Sequence, residues 1–166
     1  MDITAFRKQK DDFFREPDSP LTPEQHLSFH GLKYFPDNPA LRFRLKLDEN
    51  VEHDFVMMQT STGTQRRYVR SGKVSFAVNG VSAGLSVFKD EHGYFLPFRD
   101  ATGEDLTYPA GRYLEPEVGD DGLLDVNFNQ AYNPYCAYNA RFSCPIPPKE
   151  NWISVRIEAG EKRFHD

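Results

Sequence analysis

From Leu41 to Asp48 the chain alternates strictly, with Leu41, Phe43, Leu45 and Leu47 separated by Arg42, Arg44, Lys46 and Asp48. A period of two sends successive side chains to opposite faces, so the segment predicts a strand buried on one side and wet on the other. The clearest hairpin follows: Val74, Phe76 and Val78 alternate up to Asn79-Gly80, and Val81, Ala83, Leu85 and Val87 alternate away from it. Asn-Gly tolerates the two positive φ angles of a type I′ turn. Further strands are expected at 55–60, around Tyr68 and Val69, at 94–98, 111–114, 124–129 and 152–158. Pro97 has no N–H to donate, so it should end its strand or place it at a sheet edge. In 124–129, Leu124, Val126 and Phe128 share one face, while Asp125, Asn127 and Asn129 share the other.

Before residue 41 the period is helical. Ile3, Phe6, Phe13 and Phe14 fall near one side of a segment spanning 2–16, with most of its charges elsewhere, and Pro17 stops it. Thr22, Pro23 and Gln25 mark a second, short helix, with threonine as N-cap, proline at the first position and glutamine completing a capping box. The pattern reads as a mainly β (α+β) protein, an antiparallel β-barrel or sandwich of about eight or nine strands. It is expected to form a single domain over 1–166, with helices in 1–30 packed on a β domain at 41–160.

Composition sharpens this picture. Fourteen phenylalanines, eight tyrosines and one tryptophan are enough to fill a core, and a chain of 166 residues buries roughly 70% of its unfolded surface. A net charge of −5 gives no bias toward nucleic acid, and the Arg66, Arg67, Arg70 and Lys73 cluster reads as a solvated strand face. With no apolar span or signal core, no membrane partner is expected and a cytoplasmic location is. No P-loop, dinucleotide fingerprint, GxSxG elbow or HExxH occurs, so no cofactor is expected.

Several groups of residues carry candidate chemistry. Arg99, Asp100, Tyr108, Arg112 and Tyr113 in PFRDATGEDLTYPAGRYLE can present guanidinium donors and aromatic rings to a carboxylate or phosphate; equally, the arginines can satisfy loop carbonyls. Asn129, Tyr132 and Asn133 extend the polar strand face, which lines a cleft or builds turns. Cys136 and Cys144 have no nearby histidine in sequence and lack zinc-site spacing, so free thiols without metal are expected. Glu158 and Glu161 bracket Gly160 and form a conceivable acid/base pair.

The run from PFRDATGEDLTYPAGRYLE through NQAYNPYCAYN, SCPIPPKEN and AGEK closely resembles the C-terminal signature of domain-of-unknown-function family 1684, found in bacteria and archaea. SPL at 19–21, GLKYF at 31–35 and the 74–87 hairpin fit the same resemblance. Trp152 departs from it, since an aliphatic residue is expected there. The resemblance implies no reaction, but it nominates Arg99, Asp100, Tyr108, Arg112, Tyr113, Asn129, Tyr132, Asn133, Cys136, Cys144, Glu150 and Asn151 by motif position. The leading expectation is a small, anionic ligand held in a cleft by Arg99, Arg112, Asn129, Tyr132 and Asn133. The alternatives are a hydrolase or transferase using Cys136 or Glu158 and Glu161, and a structural or protein-interaction module without a pocket. Nothing in the pattern fixes an oligomeric state.

Overall fold

The computed structural model describes residues 2–166. Helix α1 (Ile3–Arg15) is capped by the Asp2 carboxylate on the Ala5 N–H, and only Phe14 on it is fully buried. Helix α2 (Pro23–Ser28) has the expected capping box between Thr22 and Gln25. Eight strands follow: β1 (Arg42–Leu45), β2 (Phe55–Gln59), β3 (Gln65–Val78), β4 (Val81–Asp90), β5 (Gly93–Phe98), β6 (Arg112–Leu114), β7 (Glu117–Val118) and β8 (Leu124–Asn127). They form two antiparallel sheets, one ordered β1-β8-β7 and the other β2-β3-β4-β5-β6. Each sheet keeps two open edges, so among the described residues no barrel closes.

The Asn79-Gly80 turn joins β3 to β4 as expected, with φ of 51° and 80° and Val78 opposite Val81. The segment around Tyr68 is not separate from the hairpin. It is the start of one 14-residue strand, which continues through a bulge between Arg70 and Gly72. Val74, Phe76, Val78, Leu85, Val87, Leu96 and Phe98 send one face of the large sheet into the main core, where Leu124 and Val126 arrive from the small sheet. Phe128 sits between them, with its ring 5.2 Å from Phe76, 5.3 Å from Phe98 and 6.0 Å from Phe43. The opposite face of the large sheet carries a second apolar cluster of Met58, Tyr68, Phe88, Phe95 and Tyr113.

Of the two outcomes expected for Pro97, the strand end is found and the sheet edge is not: β5 ends at Phe98 and lies between β4 and β6. The β4–β5 ladder stops at Phe88 and Phe95, and beyond it the side-chain amide of Asn151 stands between the strands. Its carbonyl accepts the Ser86 N–H at 2.8 Å, and its NH2 donates to the Ser86 carbonyl at 2.9 Å and the Pro97 carbonyl at 2.7 Å. A side chain with the chemistry of a peptide group thus supplies the donor that proline lacks.

Residues 152–158 do not form the expected strand. The segment bends at 154–155; before the bend the Ile153 N–H donates to the Arg99 carbonyl at 2.8 Å, and beyond it side chains take over, with the Asp100 carboxylate accepting the Ile157 N–H at 2.7 Å and Arg112 donating to the Ile157 carbonyl at 2.9 Å. Likewise, the strand expected over 124–129 ends at Asn127, where the side chain caps a single 3₁₀ turn at Phe128–Gln130.

Replacing Asn151 by leucine should therefore leave three buried peptide groups without partners, at about 1–3 kcal/mol each. Urea unfolding should show a loss of at least about 3 kcal/mol, and an unchanged midpoint would refute the role.

Candidate functional site

Arg112, the centrepiece of the expected anion site, is completely buried. Its Nη1 donates to the carbonyls of Ala159 and Glu161, and its Nη2 to the Ile157 carbonyl and, at 3.2 Å, to Asp100 Oδ1. The Phe98 ring lies 5.2 Å beneath the guanidinium. Burial pulls the Arg112 pKa below the ordinary guanidinium value and Asp100 opposes that shift, so the group remains a cation. Asp100 is equally committed, since its Oδ2 accepts the N–H and hydroxyl of Thr102 as well as the Ile157 N–H. These residues hold the 157–161 segment and present nothing to a ligand.

The other expected residues disperse. The Arg99 guanidinium stacks 4.7 Å over Trp152, which explains the aromatic ring at that position. Asn129 is buried and grips the backbone of Asn38 in both directions, accepting its N–H and donating to its carbonyl, each at 2.9 Å. Asn133 donates its backbone N–H to Glu161 Oε2 at 2.9 Å and its amide to the Lys162 carbonyl at 3.0 Å. Arg99, Arg112, Asn129, Tyr132 and Asn133 therefore do not line one cleft.

Glu158 and Glu161 occupy opposite environments. Glu158 is exposed and pairs with Arg156 at 3.1 Å. Glu161 is buried, accepts the Tyr138 hydroxyl, and lies 2.6 Å from the ammonium of Lys10 on α1. Gly160 between them has φ of 79°, and a Cβ there would meet the Ala131 carbonyl at 2.7 Å. The cluster ties α1 to the far end of the fold, and sequence reading missed it because Lys10 looks like any other charge on an amphipathic helix.

Two of the nominated tyrosines do converge. Tyr113 and Tyr132 pair through their backbones at 2.9 and 3.1 Å, and their rings meet edge to face at 5.7 Å. Tyr113 donates its hydroxyl to the Pro145 carbonyl, and Tyr132 donates to Glu115. Burial pushes both phenols above their ordinary pKa, so each remains a donor. Tyr132 lies on the wall of three adjoining clefts. The first, about 510 Å³, runs under α1 past Lys10, Glu115 and Asp125. The second, about 490 Å³, is bounded by Arg66, Tyr68, Tyr113 and Glu115, and the third, about 330 Å³, by Arg66, Tyr113, Tyr135 and Cys144. Arg66 is exposed, has no carboxylate within ion-pairing distance among the described residues, and donates to the Ser143 carbonyl. It belongs to the cluster read from sequence as a solvated face.

Of the remaining nominated residues, Cys144 lines the third cleft with Cys136 next to it, whereas Glu150 lies elsewhere and accepts from Arg70 and from the Ser86 hydroxyl. Cys144 Sγ accepts the Cys136 N–H at 3.3 Å, and the Tyr108 hydroxyl is 3.6 Å from Cys136 Sγ. Both cysteines are free thiols. Among the described residues, no three His, Cys, Asp or Glu side chains gather as a metal site, and no helix is long and apolar enough to cross a membrane.

The family model described as "Protein of unknown function (DUF1684)" matches residues 27–162. The chain belongs to this family. This DUF1684 chain is also similar to an uncharacterized protein of Haloarcula marismortui whose solution NMR structure is known, at 37% identity and a TM-score of 0.72. That likeness covers 96% of this chain and 91% of the other. No curated protein matches. The motif segments of the DUF1684 chain thus include structural wiring through Asp100, Arg112, Asn129 and Asn151, alongside the tyrosines that face the groove.

Arg112→Ala should destabilise the DUF1684 fold by about 3–5 kcal/mol, because it leaves Asp100 buried without its cation. Arg112→Lys should recover little, since a single ammonium cannot reach the spread of acceptors that the fork spans. Chemical unfolding of both variants tests this, and a wild-type midpoint for Arg112→Lys would contradict it.

Proposed function

We propose that this protein binds a small molecule that combines a planar ring with a carboxylate or phosphate, in the groove around Tyr113 and Tyr132. The carrying observation is Arg66, an exposed guanidinium free of carboxylate partners, on the wall of two clefts that also contain both tyrosines. A guanidinium offers parallel donors that match a carboxylate or phosphate. The tyrosines offer aromatic surface for an edge or face contact, and Glu115 orients the Tyr132 ring through its hydroxyl. Volumes of about 490 and 330 Å³ are in the lower range of small-ligand pockets.

This reading keeps an anionic ligand and an Arg-Tyr cleft but moves the charge recognition from Arg99 and Arg112 to Arg66. A second reading, that the protein is a structural or interaction module, draws support from Arg112 and Asn129, whose donors end on internal groups. The two readings differ in what Arg66 does. Titration of labelled protein with benzoate, phenyl phosphate and larger aryl acids, followed by NMR, should shift resonances of Tyr113, Tyr132 and Arg66. Arg66→Ala should weaken binding about 10- to 100-fold without changing the fold, as expected for losing a charged hydrogen bond. Tyr132→Phe should bind more weakly only to the extent that release from Glu115 loosens the ring. Absence of any shift in this groove across the series would favour the module.

A further inference from the structure

The two cysteines are seven residues apart in intervening sequence but adjacent in space, and their surroundings are unequal. Cys136, on the turn Tyr135–Ala137, is partly exposed, whereas Cys144 is buried. Cys144 is clamped on its other side by the turn after β2: the Ser61 N–H donates to its carbonyl at 2.9 Å, and its own N–H donates to the Ser61 hydroxyl at 3.1 Å. The Cys144 sulfur accepts the Cys136 N–H at 3.3 Å, which holds it against the Cys136 turn. Tyr108 supplies a donor to the Cys136 sulfur from outside the pair. The charged or titratable groups facing the two thiols are Tyr108, Tyr113, Tyr135 and Arg66, and none of them is a carboxylate.

We propose that Cys136 and Cys144 form a thiol–disulfide exchange centre, with Cys136 attacking a small disulfide and Cys144 resolving the product. In the first step the Cys136 thiolate attacks one sulfur of the small disulfide, that S–S bond breaks, and the departing thiolate takes a proton from solvent. In the second, Cys144 loses its proton and attacks Cys136, expelling the remaining half of the substrate as a second thiol. The protein is oxidised from two thiols to one disulfide, and the substrate is reduced from one disulfide to two thiols.

The unequal surroundings set the order of events. Hydrogen bonds from Cys144 and Tyr108 outweigh burial and lower the Cys136 thiol to about 6, so it is largely thiolate at neutral pH. Cys144 is raised, chiefly by its bond to Cys136, and stays protonated while that thiolate is present. Once Cys136 is tied up in a mixed disulfide its charge disappears, the chief cause of the raised Cys144 value goes with it, and the second thiol becomes free to ionise.

The test treats the full chain with oxidised glutathione and reads intact mass. Wild type should lose two hydrogens and keep no glutathione, Cys144→Ser should retain one glutathione on Cys136, and Cys136→Ser should leave Cys144 reduced. Iodoacetamide should alkylate wild-type Cys136 with a half-maximal rate near pH 6, where an ordinary thiol needs a pH of about 8.5. Tyr108→Phe, which removes only a hydroxyl, should move that midpoint upward. A wild-type protein that accumulates a lasting glutathione adduct, or one whose two thiols react only at ordinary alkaline pH, would overturn the proposal. Neither outcome bears on ligand binding at Arg66, which the aryl-acid titration reads separately.

Discussion

Arg112 carries its charge into the buried interior, and it is held there by three carbonyls of the 157–161 segment and by Asp100. Removing a cation from water is costly, and the return comes only if almost every N–H finds an acceptor. Here the acceptors are backbone groups that no strand partner serves, so each side repairs a deficit in the other. The segment needs no sheet because the guanidinium does the work of a neighbouring strand, and the guanidinium stays ionised because the segment is there. Net stabilisation from such an arrangement is modest, but it leaves few alternative ways to lay down the final segment.

The same logic recurs at Asn151 and Asn129. Each uses an amide side chain in place of a peptide group, one beside Pro97 and one around Asn38. Together with Asp100 they concentrate hydrogen-bonding capacity where loops cross the sheets, and so serve backbone groups that no strand partner reaches. Aromatic rings complete the packing: Phe128 binds the two sheets to each other, and Tyr113 connects the outer apolar cluster to the groove.

Local pattern was legible where local pattern decides. The alternation at Leu41–Leu47 and Val74–Val87, the positive φ at Asn79-Gly80 and the capping box at Thr22 all depend on residues a few positions apart, and all were readable. The interior place of the strand carrying Pro97 and the irregular path of 152–158 were not readable because they depend on side chains distant in sequence: Asn151 for one, Asp100 and Arg112 for the other. In the site, Tyr113 and Tyr132 were nominated in separate motifs whose adjacency no spacing reveals, and Arg99 and Arg112 looked identical to free arginines. Burial separates a structural guanidinium from one available to a ligand, and no spacing rule encodes it. Arg66 shows the converse, a charge read as part of a solvated strand face that the fold sets beside two tyrosines.

The three carbonyl acceptors for Arg112 lie 45 to 49 residues downstream of it. A ribosome making this chain therefore exposes β3, β4, β5 and their hairpin, and Asp100 as the counter-charge, long before the carbonyls that take up the other guanidinium N–H groups exist. Those strands can pair early through the Asn-Gly turn, but the site for the guanidinium is completed only after the 157–161 segment has emerged, and Lys10 waits longer still for Glu161. During synthesis the 157–161 segment thus emerges after the residues it holds, so its contacts to Arg112 and Lys10 close onto strands and a helix already made.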